Sequence, residues 1–211
     1  MKIVILLLMT LAPVGAQEGA KIFFSKTFPG SLPAYAEVRL TRDGRAEYRE
    51  GPDEDNPVVL KLNGEETDAI YALADKLDHF GRELESGLKV ARMGDKVLRW
   101  EQGAERHEVK FNFSMDLDAQ AIHDWFERID ETAGYFIGLE RAAKYDKLGV
   151  NSALLKLESA WDRRRLVALP LFLPLLDRVD QNESYLHMAR ERAARLAGLF
   201  RNPPPVVAAK P

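Results

Sequence analysis

Apolar and polar positions alternate along this chain with two different periods. Ala36, Val38 and Leu40 alternate with Glu37, Arg39 and Thr41, and Ala46 and Tyr48 resume the alternation beyond Asp43-Gly44. A period of two places the apolar set on one face of a strand, and Asp-Gly favours a type I′ turn, so this segment predicts a β-hairpin. Ile22 to Ser25 and Val58 to Leu62 predict flanking strands, the second after the Pro-bounded loop Gly51 to Pro57. Asn63 followed by Glu66 resembles a capping box, and Ile70, Leu73, Ala74, Leu77 and Phe80 then recur at helical spacing, so a helix ending near Gly81 is expected.

The strand period returns in Leu88 to Met93, Val97 to Glu101 and His107 to Phe113, with turns at Gly94-Asp95 and Gly103, which predicts three antiparallel strands. Asp116 or Asp118 starts a second helix with the face Ile122, Trp125, Phe126 and Ile129. From Ala133 onward only helical patterns remain: Phe136 to Leu148, Asn151 to Leu166, and Asn182 to Phe200 with the stripe Leu186, Ala189, Ala193, Leu196, Ala197 and Phe200. The order predicts an α+β fold, an antiparallel sheet with helices packed on one face, followed by a small all-α C-terminal unit. The expected organisation is a two-layer domain over 17–131, a helical unit over 132–201 and a disordered Pro-rich tail over 202–211.

The N-terminus changes the picture. Lys2, the apolar run Ile3 to Ala12 and the small-residue exit Val14-Gly15-Ala16 predict a secretory signal peptide over 1–16, and hence a periplasmic or secreted protein. Neither that run nor Leu166 to Leu176, which contains Pro170 and Pro174, is long enough to span a bilayer, so no transmembrane segment is expected. The chain has no cysteine, which excludes disulfides, thiol nucleophiles and thiolate metal sites and leaves packing to hold the fold. Residues 17–131 carry 16 Lys and Arg against 25 Asp and Glu, while 132–211 carry 13 against 8. This split fits two parts that dock on each other better than a basic face offered to an anionic partner, and with an acidic other half nucleic acid is not an expected partner.

Candidate chemistry is sparse. Ser86 and Lys89 match S-x-x-K without its companion motifs, and a helix-to-strand connection accounts for them better. His79, His107, His123 and His187 lack metal-ligand spacing. Asp53-Glu54-Asp55 offers hard oxygens for calcium, but Val58 and Gly64 stand where an EF-hand needs Gly and Glu, and a solvated loop is the better reading. Arg163-Arg164-Arg165 suits a helix C-terminus, and Trp100, Trp125 and Trp161 suit apolar faces, with Trp100 near a sheet edge. No catalytic, cofactor-binding or metal residue is assigned, and no cofactor is expected.

Pro33-Ala34-Tyr35 leading into a hairpin with Asp43-Gly44 and Tyr48, the sheet-helix-sheet-helix order, and the Lys89 to Trp100 segment are together similar to an uncharacterised family of secreted bacterial α+β domains of unknown function. The similarity runs from Ser25 to Ile129; commoner members have a cysteine near the first strand, absent here. It implies the fold and carries no functional residue across. The expected function is a secreted or periplasmic non-enzymatic interaction module that binds a protein or envelope component through a sheet face or edge, an envelope or secreted protein being the expected partner. The alternative is an envelope hydrolase whose site is assembled only in three dimensions. Oligomeric state is not readable from the chain.

Overall fold

The computed structural model describes residues 19–203, so the predicted signal peptide and all but the start of the predicted tail lie outside the described residues. Strands β1 (Lys21–Thr27), β2 (Tyr35–Thr41), β3 (Arg45–Arg49), β4 (Val58–Lys61), β5 (Asp95–Gln102) and β6 (Glu105–Phe111) form an antiparallel sheet in the order β4-β3-β2-β1-β5-β6. The register aligns Tyr48, Val38, Phe24, Leu98 and Val109 in one inward row, all buried. Helix α1 (Gly64–Lys76) and the first half of α2 (Leu117–Tyr145) close that face, burying Ile70, Tyr71 and Ala74 from one and Ile122, Phe126 and Ile129 from the other. This is the α+β arrangement the alternation predicts.

The Asn63 capping box forms as read. Asn63 Oδ1 accepts from the Glu66 amide and a Glu66 carboxylate oxygen accepts from the Asn63 amide, both at 2.9 Å. Glu66 also accepts from the Ala168 amide at 3.3 Å, tying α1 to the C-terminal half.

Several local expectations change. The Asp43-Gly44 hairpin is not type I′: Leu40 pairs with Ala46, Gly44 donates to the Thr41 carbonyl at 2.9 Å, and only Gly44, at φ +85°, is left-handed there. This three-residue loop leaves the Asp43 carboxylate free to accept from Thr41 Oγ1 and, at 2.9 Å, from Lys61 Nζ. Leu88 to Met93 is not a strand, because β5 already has β1 on one side and β6 on the other, so the second set has two strands rather than three. The segment is an irregular loop held by the Asn112 side chain, which accepts from the Met93 amide at 2.7 Å and donates to the Ala91 carbonyl at 3.2 Å. Finally, α1 stops at Lys76, and Asp78, His79 and Phe80 follow at φ 53°, 48° and 67°, a left-handed turn that still buries Phe80.

The Phe136 to Leu148 helix is not separate, since α2 runs unbroken for 29 residues from its Asp116 cap. Its first half belongs to the sheet core, while Leu139 and Ala143 belong to a second core made with α3 (Val150–Asp162), α4 (Leu173–Gln181) and α5 (His187–Arg201). The run Leu166 to Leu176 places Val167 and Ala168 against the sheet core, then makes a 3₁₀ turn over Leu169–Phe172 into α4. The α5 stripe is buried as read except at Leu186, which precedes the helix and is exposed. Among the described residues no helix is long and apolar enough to cross a membrane.

Candidate functional site

The helices cover one face of the sheet, and the side chains of opposite parity form the other. Across the register one row of that open face reads Glu47, Arg39, Phe23, Arg99, Glu108 on β3, β2, β1, β5 and β6. The Arg99 guanidinium lies 4.4 Å from the Phe23 ring centroid and Arg39 lies 5.9 Å from it, so the half-buried ring has a cation on each side. Arg99 Nε donates to Glu108 at 2.8 Å, and Arg45 and Arg49 both donate to Glu47 at 2.9 Å. In the next row Glu37 is buried to 2 %, with the Tyr35 hydroxyl donating to it at 2.7 Å and Arg39 paired to it at 3.0 Å.

These contacts set the electrostatics. The hydrogen bonds from Arg45 and Arg49 hold the Glu47 carboxyl below its usual range, and the hydrogen bond from Arg99 does the same for Glu108. Burial, reinforced by the Glu37 carboxylate, pushes the Tyr35 phenol up to about 12. The face is thus a fixed lattice of guanidinium and carboxylate groups around one aromatic ring. Its residues were legible only as the polar half of an alternating pattern. The one sequence signal was Phe23, an aromatic in a lane otherwise filled by Lys21, Ser25 and Thr27.

A groove of about 710 Å³ runs between α2, α3 and the Leu32-Pro33 turn, floored by Gly134, Gly138 and Ala142. At one end the Tyr48 hydroxyl donates to Asp130 at 2.7 Å, and burial raises the Asp130 carboxyl despite that bond. The acids lining the groove are all engaged in holding the fold. Glu131 accepts from Arg165 at 2.9 and 3.0 Å, and Asp146 accepts from the Gly149 amide at 3.0 Å.

The residues singled out in sequence disperse, with one exception. Ser86 accepts from the Leu88 amide at 3.2 Å in the loop before β5 and its hydroxyl donates to the adjacent Glu85 carboxylate at 3.3 Å, while Lys89 is exposed and makes no contact with it. Asp53, Glu54 and Asp55 form an exposed turn in which Glu54 receives the Glu50 amide at 2.8 Å. Arg165 leaves the α3 terminus to join Glu131 and Asp124 on α2, an internal contact between the basic and acidic parts of the chain. Trp100 is buried at 4 %, one strand in from the sheet edge, and stacks on His79 at 4.1 Å. Trp125 and Trp161 are half-buried against the two cores.

The exception is the group His79, Trp100 and His107: beside the His79–Trp100 stack, the Nδ1 atoms of the two imidazoles lie 3.5 and 3.7 Å from the same Glu105 oxygen. The left-handed turn at Asp78–Phe80 brings His79 there, a placement no spacing rule reveals. Among the described residues no group of three or more such side chains has the geometry to hold a metal ion. His123 faces Glu127 at 3.5 Å, and His187 is exposed on α5. Compared with known proteins, the chain matches no protein-family model and no curated protein.

Proposed function

We propose that this chain is a secreted or periplasmic, non-enzymatic interaction module that binds a protein partner through the open face of its sheet. The observation that carries the reading is the row in which Arg39 and Arg99 flank Phe23 on a face that no helix of the described residues covers. Arginine and aromatic side chains dominate the binding energy of protein interfaces, because each combines apolar area with directed polar contact. Here the guanidinium groups are already oriented by Glu37, Glu108 and the Phe23 ring, so little side-chain freedom remains to be lost on association.

The interleaving of signs selects the partner's chemistry. A nucleic acid or other uniform polyanion meets Glu47 and Glu108 in the same row and is repelled there. A protein surface with acidic residues opposite Arg39 and Arg99 and basic residues opposite the two glutamates is matched throughout. The hydrolase alternative would draw on the groove acids, and their bonds to Tyr48, Arg165 and Gly149 weigh against it.

A photo-crosslinking amino acid at Val97 on this face, compared with one at the exposed Leu155 on α3, tests the reading in envelope extract. The expected result is one saturable protein adduct from position 97, lost in an Arg39→Glu, Arg99→Glu variant that circular dichroism shows to be folded at the temperature of the experiment. Equal adducts from both positions, or adducts indifferent to the charge reversals, would contradict it.

A further inference from the structure

On the helix-covered side, the apolar rows of the sheet give way at one end to a row that reads Ala36, Lys26, Lys96, Phe111 across β2, β1, β5 and β6. Helix α2 passes over this row with Gln120, His123 and Glu127 facing it, and the irregular loop before β5 supplies Arg92 and Met93. Between them lies a cleft of about 570 Å³, within the size range of small-molecule sites. Phe28, Met93, Phe111 and Phe113 give it apolar walls, and Phe28 and Met93 are themselves exposed at 37 % and 54 %.

The polar groups of the cleft are unbalanced in charge. Lys26, Lys96 and Arg92 line it against the single carboxylate of Glu127. Lys26 donates to Glu127 at 2.9 Å, which neutralises one cation. Lys96 is buried to 4 %, and its ammonium meets the carbonyls of Asn112 at 2.7 Å and Gly94 at 3.2 Å and, among the described residues, no carboxylate within ion-pair distance. Arg92 reaches Asp95 from an exposed position at the rim. His123 Nε2 is buried without a hydrogen-bond partner among the described residues.

The Lys96 ammonium thus lines the cleft with its hydrogens on the carbonyls of Asn112, Gly94 and Met93 and no carboxylate in contact, so Glu127, Glu85 and Asp95 offset its charge only from a longer range. We propose that this cleft binds a small soluble amphiphilic anion, a phosphate or carboxylate carried on a short apolar chain. The anionic end sits among Lys26, Lys96 and Arg92, within reach of His123, and the chain lies along Phe28, Met93 and Phe113. The site is on the opposite side of the sheet from the face assigned to a protein partner, so either assignment stands without the other.

Calorimetric titration of the purified chain with decyl phosphate below its critical micelle concentration tests the proposal, beside decyltrimethylammonium, inorganic phosphate and vesicles of anionic phospholipid. The expected result is saturable one-to-one binding of decyl phosphate, with the cation and inorganic phosphate each at least about 100-fold weaker. Arg92→Gln and Met93→Asp change exposed rim residues and leave the core intact, and each should weaken decyl phosphate about tenfold or more. Equal affinity for the cationic amphiphile, equal affinity for bare phosphate, binding to vesicles alone, no saturable heat, or undiminished binding by both variants would each overturn it.

Discussion

Lys26 and Lys96 stand side by side in the register of β1 and β5, yet their ammonium groups are satisfied in different ways. Lys26 pairs with Glu127 at 2.9 Å, whereas Lys96 turns back to the Asn112 and Gly94 carbonyls and fastens the loop before β5 to the end of β6. Burial lowers the Lys96 pKa, and the neighbouring Lys26 charge lowers it further.

Replacing Lys96 by Met keeps the volume and removes the donors. Hydrogen bonds to a charged group contribute about 1.5–3 kcal/mol, and relief of ammonium burial offsets part of that, so the expected cost is about 1–2 kcal/mol. Amides from Leu88 to Gly94 should exchange faster with solvent while those of β1 and β2 keep their protection. Unchanged exchange in the loop would show that Asn112 alone holds it.

His123 gives the molecule a pH dependence of known sign. Burial is the largest influence on its ring; Glu127 opposes it, Lys96 and Lys26 add to it, and the pKa is pushed down to about 4. The unfolded chain, with an imidazole near about 6.5, takes up a proton first as the pH falls. The stabilisation is therefore complete above about pH 6.5 and is lost as the pH falls through 4. Urea midpoints should fall across this window more steeply for the wild type than for His123→Gln. Parallel curves would mean that His123 protonates freely in the fold.

Gly44 is needed for two separate reasons. At φ +85° a side chain is strained, and a Cβ there would stand 2.6 Å from the Leu62 carbonyl oxygen and 2.8 Å from Thr67 Oγ1. Gly44→Ala should cost about 2–3 kcal/mol, read as a lower melting temperature, because backbone at the start of α1 has to give way. Gly51→Ala, with nothing within 4 Å of its Cβ, should be close to neutral.

Tyr48 is buried to 1 %, and its hydroxyl donates to Asp130 at 2.7 Å across the junction of sheet and α2. Tyr48→Phe leaves the ring in place and the acid without its donor, a loss of about 1–3 kcal/mol in chemical denaturation. An Asp130→Asn, Tyr48→Phe double variant should recover part of it, because no buried carboxylate is then left unpaired. Strict additivity of the two changes would argue that the two groups do not act together.

What was legible in the sequence was what neighbours in the chain decide. Alternation marks β2 and β3, and the Asn63-Glu66 pair marks the start of α1, because each signal lies within one turn or hairpin. Leu88 to Met93 misleads because its alternation is strand-like while the place beside β5 is taken by β1, distant in sequence. The junction at Thr132-Ala133-Gly134 carries no proline, so α2 continues through it on packing against two cores in succession. The open-face row and the cleft were invisible for one physical reason: Phe23, Arg39 and Arg99 meet only once the register of three strands is fixed, and Lys26 meets Glu127 only once α2 lies across the sheet.

The row centred on Phe23 is proposed to be a binding surface rather than a solvated one. Its most direct test is the affinity of the partner captured from position 97, once isolated, for the wild type and for Arg39→Glu, Arg99→Glu. Because Arg39 is paired with the buried Glu37 and Arg99 with Glu108, the variant should unfold at lower denaturant than the wild type, and binding is compared where circular dichroism shows both folded. The variant's affinity should be lower by about 100-fold or more at low salt, with the wild-type complex weakening as ionic strength rises. An affinity unchanged by the two charge reversals, in a folded variant, would contradict it.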